Sequence, residues 1–248
     1  MKSLLPQKCL RRLVLVGAVA VFAAGFGGSV RAQDDDSVMR GGRVGWARLR
    51  TPDEYWERHS EADYRLSIFI RRETSLNMDP TWYSVSMNSL EDLCRYPFIF
   101  ANSLAAVRSA SARSNLAEYF KRGGFVVVDA CINKTINPDP AKFLADNKAV
   151  FTALIPGCEI KPLSSEHEIY SCFFTMTEKP PHTYHEARYD KRWAQHGLYG
   201  VYVKDRIVSV ITLSGLQCGW SGVRATRPNH AQECMEMMLN IYVYAMTH

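Results

Sequence analysis

Apolar and polar positions along this chain change character every few residues, and no single period runs throughout. Trp46 to Arg50 alternates apolar and polar, which predicts an edge strand, and Trp82 to Met87 reads as a second strand. Ser60 to Thr74 is ambiguous: Ser60 followed by Asp63 suits a helix start, whereas Leu66, Ile68 and Ile70 alternate as in a strand. Pro97 to Ala101 is a short continuous apolar run, as expected of a strand covered on both faces. Leu116, Tyr119 and Phe120 mark one face of a helix that Gly123-Gly124 stops, and Phe125 to Asp129 follows as a buried strand.

The second half repeats this logic. Asp139 is a good N-cap and Pro140 suits the first helical position, with Phe143, Leu144, Phe151 and Leu154 as the apolar stripe and Gly157 as the stop. Glu159 to Pro162 reads as a short strand, and Ser165 with Glu168 as a capping box for a short helix through Tyr170. Tyr199 to Val203 and Ile207 to Leu213 flank Lys204-Asp205-Arg206 as a hairpin. A Gly-punctuated loop, Cys218 to Gly222, precedes a last helix, which Asn229 caps and whose buried face is Met235, Leu239, Tyr242 and Met246. Strands and helices in this order predict a three-layer α/β sandwich with a mainly parallel sheet, a C-terminal hairpin and a final helix. Residues 44–248 are read as one domain after a 33–43 linker.

Composition changes the picture mainly at the N-terminus. Residues 1–32 hold Lys2, Lys8, Arg11, Arg12 and Arg31 and no acid, followed from Leu13 by an apolar run ending in Val30-Arg31-Ala32. That is the layout of a secretory signal peptide cleaved before Gln33, with an uncleaved membrane anchor as the other reading. It predicts an exported protein of the periplasm or cell envelope, with membrane attachment only if the segment stays. The chain carries a net charge of +5; without those five bases the rest balances at 25 Lys and Arg against 25 Asp and Glu. Nucleic acid is therefore excluded as an expected partner. Six cysteines remain after the signal, enough for one or two disulfides or for a set of buried thiols. They show no Cys-x-x-Cys spacing.

Several segments together resemble one bacterial family, known as domain of unknown function 4159. They are Tyr96 to Phe100, Glu118 to Phe125, Asp129, His167-Glu168-Ile169, Cys218-Gly219-Trp220 and Asn240 to His248, in that order over about residues 44–248. The resemblance implies a flavodoxin-like, class I glutamine-amidotransferase-like fold and no established activity. The chain departs from the pattern at Asn102-Ser103-Leu104, where related folds often have a Gly-His-Gly-type loop, at Ala130 in place of a second acid, and at Glu168 in place of Pro.

In open α/β sheets the functional crevice lies beyond the carboxyl ends of the strands. Asp129 and Cys131 sit there, so Asp129 is a candidate base or ligand contact and Cys131 a candidate nucleophile, with His167 as its partner. Against catalysis, Cys131 lacks the flanking glycines of a nucleophile elbow. Trp220 between glycines is either a core plug or a ligand-stacking platform. His182-x-x-His185-Glu186 with His196 suggests a metal, but Pro180-Pro181 and the spacing argue against it, and no metal or cofactor is expected. The function expected is an exported α/β module binding an envelope protein or a small polar ligand. Its rival is a hydrolase or amidotransferase-like enzyme using Asp129, Cys131 or His167.

Overall fold

The computed structural model describes residues 42–131, 136–181, 197–222 and 228–248. Seven strands form one sheet: β1 (Arg43–Arg50), β2 (Asn77–Ser86), β3 (Phe98–Ala101), β4 (Phe125–Asp129), β5 (Glu159–Pro162), β6 (Leu198–Val203) and β7 (Arg206–Thr212). Their order is β2-β1-β3-β4-β7-β6-β5. From β2 through β7 each neighbouring pair is parallel, and β6 is antiparallel to both β7 and β5. β3 and β4 are adjacent, with Phe98 opposite Phe125 and Ala101 opposite Val128. Phe125, Val126, Val127 and Val128 are all buried, so both faces of the central strand are covered, as the unbroken apolar run requires.

Six helices are described: α1 (Asp63–Glu73), α2 (Leu90–Cys94), α3 (Ala110–Lys121), α4 (Pro140–Leu154), α5 (Leu216–Trp220) and α6 (His230–Thr247). Helices α2, α3 and α4 share one core with Val126 and Val128. Helices α1, α5 and α6 share the other with Phe125 and Val127. The result is three layers. At the end of α3 the chain turns through Gly123 (φ +90°), and Gly124 lies under the Tyr119 ring, where a Cβ would come within 2.2 Å. That close approach lets the Tyr119 hydroxyl donate to the carbonyls of Tyr96 and Phe125, locking α3 to both strands it connects.

Several local expectations change. The strand at Trp46–Arg50 is not an edge: β1 lies between β2 and β3, and Trp46, Ala47, Arg48 and Leu49 are buried. Arg48 made the run look half-solvated, but its charge is neutralised inside the protein. The ambiguous segment is a helix, because Leu66, Phe69 and Ile70 are buried while Ile68 is 41% exposed. Residues 216–220 form a short helix where a loop was expected. Asn229 does not cap α6 with its side chain, since its backbone is left-handed (φ 65°) and not in the extended form a cap needs. The turn at Glu168–Tyr170 is capped by His167, whose Nδ1 accepts from the Ile169 amide, while Ser165 donates to Glu166 instead. Asp139 does cap α4, accepting from the Lys142 amide at 3.0 Å.

Candidate functional site

At the carboxyl end of β4 the first polar group is Asp129, only 2% exposed. Its two oxygens accept the Leu216 amide at 3.0 Å and the Gln217 amide at 2.8 Å. Those are unsatisfied donors of the first turn of α5, which Gly215 enters in the left-handed conformation (φ 64°). Asp129 is thus the cap that fastens α5 to the end of β4. Burial pushes its carboxyl up to about 7, against the pull of these backbone bonds. The cap also sets what comes next: Cys218 lies one residue beyond Gln217, Cys131 two beyond Asp129, and their sulfurs stand 3.3 Å apart.

The third member comes from the loop after β1. Arg48 on β1 donates from Nη2 to the carbonyls of Trp56 and Arg58, at 2.8 and 3.1 Å. Asn102, at the end of β3, donates to the Tyr55 carbonyl. The loop is therefore pinned from below by two strands. His59 follows with φ 57°, a left-handed backbone that costs a non-glycine residue about 1 kcal/mol. A ring nitrogen of His59 and the sulfurs of Cys131 and Cys218 all lie within 4.8 Å of one another. The Cys131 thiol is held down to about 5, chiefly by its hydrogen bond with Cys218, helped by His59 and Arg58 and opposed by burial.

One buried carboxylate supports this arrangement from behind. Asp63, at the start of α1, accepts Arg48 Nη1 at 2.8 Å, Trp46 Nε1 at 3.1 Å and Gln217 Nε2 at 3.2 Å. Burial pushes the Asp63 carboxyl up, and the Arg48 charge with these donors pulls it back. The same residues that hold His59 in place thus reach α5, which carries Cys218.

The other expected site residues do not join the cluster. His167 packs its ring 5.4 Å from Tyr244, near the C-terminal end of α6. That end lies toward the amino ends of the strands, since Tyr242 packs on Phe98 at the start of β3. Trp220 is 1% exposed, with its ring against Trp46 and Phe100. It is the core plug and offers no open platform. His182, His185, Glu186 and His196 lie outside the described residues, as does the segment 1–32.

A second thiol–imidazole contact exists. Cys234 Sγ lies 3.6 Å from His230 Nε2, one turn apart on α6, and both residues are wholly buried. Cys172 donates to the Asn240 carbonyl at 3.3 Å. Of the six cysteines Cys131, Cys218 and Cys234 are buried, Cys158 and Cys172 are half-buried and Cys94 is exposed, so they do not form a wholly buried set.

Sequence reasoning singled out Cys131, and Cys218 as part of a loop, but missed His59, Arg48, Asp63 and Gln217. Arg48 carried one usable signal, a charge inside an otherwise apolar strand. His59 carried none, because its partners are 72 and 159 residues away.

Among the described residues no helix is long and apolar enough to cross a membrane. One family model, described as Domain of unknown function (DUF4159), matches residues 46–246. No curated protein matches the chain.

Proposed function

The chain belongs to the DUF4159 family, and we propose that it is an exported binding domain of the cell envelope that holds a small ligand at His59, Cys131 and Cys218. The observation that carries this reading is the convergence of three soft donors from three distant segments to within 4.8 Å, beyond the carboxyl ends of the strands. Cys131 is 7% exposed and Cys218 3%, so only a small ligand reaches them and a protein partner does not. The cluster is also held rigidly from behind by Asp63, Arg48 and Asp129, as a preorganised site should be. Export rests on the basic, apolar and Val-Arg-Ala parts of residues 1–32.

Asp129 argues for binding over hydrolysis, because both its oxygens are committed to α5. The alternative is a thiol enzyme, in keeping with an amidotransferase-like fold and favoured by the contact of Cys131 with His59. There the proton of the Cys131–His59 pair rests on His59 and the thiolate sulfur bonds to a carbonyl carbon. The departing amine takes that proton, and water then hydrolyses the thioester.

Phenylarsine oxide, which bridges neighbouring thiols, tests the binding reading. One molecule should bind per chain, and Cys218→Ser should abolish capture; no capture by the reduced wild type would overturn the reading. Slow iodoacetamide labelling of Cys131 is expected of a nearly buried ligand donor. Prompt, pH-dependent labelling together with a thioester trapped on Cys131 would favour the enzyme. N-terminal sequencing of envelope material should begin at Gln33, and retention of residues 1–32 would mean an anchor.

A further inference from the structure

The donor set at this cluster narrows the ligand. Two thiol sulfurs and one imidazole nitrogen form a soft-to-borderline set, the combination that selects zinc over calcium or magnesium. No carboxylate is among the three clustered donors: Asp129 is consumed by the amides of Leu216 and Gln217, and Glu61, whose Oε1 lies 3.9 Å from His59 Nδ1, turns a largely exposed side chain to solvent. Geometry agrees with chemistry. Around a tetrahedral zinc with Zn–S near 2.3 Å, two sulfurs stand roughly 3.8 Å apart, and a sulfur and an imidazole nitrogen roughly 3.6 Å apart. The sulfurs here are 3.3 Å apart and all three donor atoms lie within 4.8 Å, so shifts of about 0.5–1 Å would seat the ion.

The surroundings support the same occupant. The donors come from the β1 loop, the end of β4 and helix α5, and each is anchored by a neighbour. Arg48 holds the Trp56 and Arg58 carbonyls ahead of His59, and the Asp129 cap fixes the start of α5 ahead of Cys218. Asn137 Nδ2 donates to the Cys131 carbonyl at 3.0 Å. His59 retains a strained left-handed backbone that a glycine would adopt freely, as expected where the side chain is needed. The His59 side chain is 12% exposed, so the cluster meets solvent at His59. Three protein donors with solvent at one of them match the zinc sites that keep a fourth position for water or substrate.

We propose that His59, Cys131 and Cys218 bind one Zn2+ ion, with a fourth coordination position facing solvent. This rests on the reading of the cluster as the ligand site and names the ligand. Loading leaves both sulfurs as thiolates, any proton they still carry passing to solvent; two thiolates balance the dication, and no electron is transferred.

The test uses the full chain, reduced, then freed of reductant and metal. Titration with Co2+ should produce a thiolate-to-cobalt charge-transfer band that saturates at one equivalent and is abolished by one equivalent of Zn2+. In competition with a chromophoric chelator, His59→Ala and Cys218→Ser should each weaken Zn2+ binding by at least about 100-fold. Cys234→Ser, at the other thiol–imidazole contact, should leave it unchanged. A missing cobalt–thiolate band, or Zn2+ affinity that survives Cys218→Ser, overturns the proposal. Phenylarsine oxide capture separates the two levels. A chain that captures the arsenical but not zinc keeps the ligand site and loses the metal, and one that captures neither loses both.

Discussion

Two cysteine–histidine contacts in this molecule look alike as chemistry and differ in every physical respect. Cys234 and His230 are four residues apart on α6, so helical geometry alone brings them to 3.6 Å, and both are sealed in the core. Cys131 and His59 meet across 72 residues, with Cys218 arriving from a third segment, at a rim partly open to solvent. The local pair is brought together by its own helix. The distant one has a buried ion pair, a carboxylate cap and a strained backbone arranged around it. Proximity of a thiol and an imidazole is therefore weak evidence of function, whereas structure spent on holding them together is stronger evidence.

The contrast breaks most severely at Arg48. Arg48→Ala leaves Asp63 as a buried charge without its cation, which should cost about 3–5 kcal/mol in denaturant unfolding. Arsenical capture should fall with it, because the loop bearing His59 loses its anchor. A variant as stable as wild type would mean that the network does not hold the loop. Asp129→Ala should cost roughly 2–5 kcal/mol by stranding two buried amides. Asp129→Asn, which keeps one acceptor, should cost less than half of that. A stable Asp129→Ala chain would return Asp129 to the candidate ligand contacts.

The two histidines should then move stability in opposite directions. His230→Ala should cost about 2–3 kcal/mol by opening a cavity in the core, with Co2+ binding intact. His59→Gly should raise stability by about 0.5–1 kcal/mol by relieving the positive φ, while Co2+ binding is lost. Loss of stability at His59→Gly would show that the residue is there for packing.

The smallest effect concerns His167, which the sequence offered as a catalyst. Burial, with His248 adding to it and Glu168 opposing, holds its pKa below the ordinary value, and Nδ1 must stay unprotonated to accept the Ile169 amide. A base with a lowered folded pKa is protonated first in the unfolded chain. Its stabilisation is therefore present above about pH 6.5 and lost progressively as pH falls below that. His167→Asn should flatten this slope in thermal unfolding between about pH 7 and 5. An unchanged slope would assign the acid sensitivity elsewhere.

Secondary structure was legible wherever one local rule acted unopposed. The Phe125–Asp129 run, the Asp139-Pro140 helix start and the hairpin around Lys204 needed only the properties of neighbouring residues. Errors arose where a distant partner changed the local rule. Arg48 looked solvated until Asp63 met it, and residues 216–220 looked like a loop until Asp129 supplied the cap that turns them into a helix. Trp220 was undecided between plug and platform because only packing against Trp46 and Phe100 distinguishes them.

By itself the sequence determined the alternation of strand and helix and the placing of Asp129 and Cys131 beyond a strand's carboxyl end. These follow from side-chain period and from the caps and stops between elements. Tertiary structure alone decided that Asp129 caps a helix, that His167 stays on the far side of α6, and that Cys131 faces His59 and Cys218. Those pairings depend on where segments far apart in the chain come to rest. Their geometry is set by the mutual satisfaction of buried charges and amides, which no local pattern encodes.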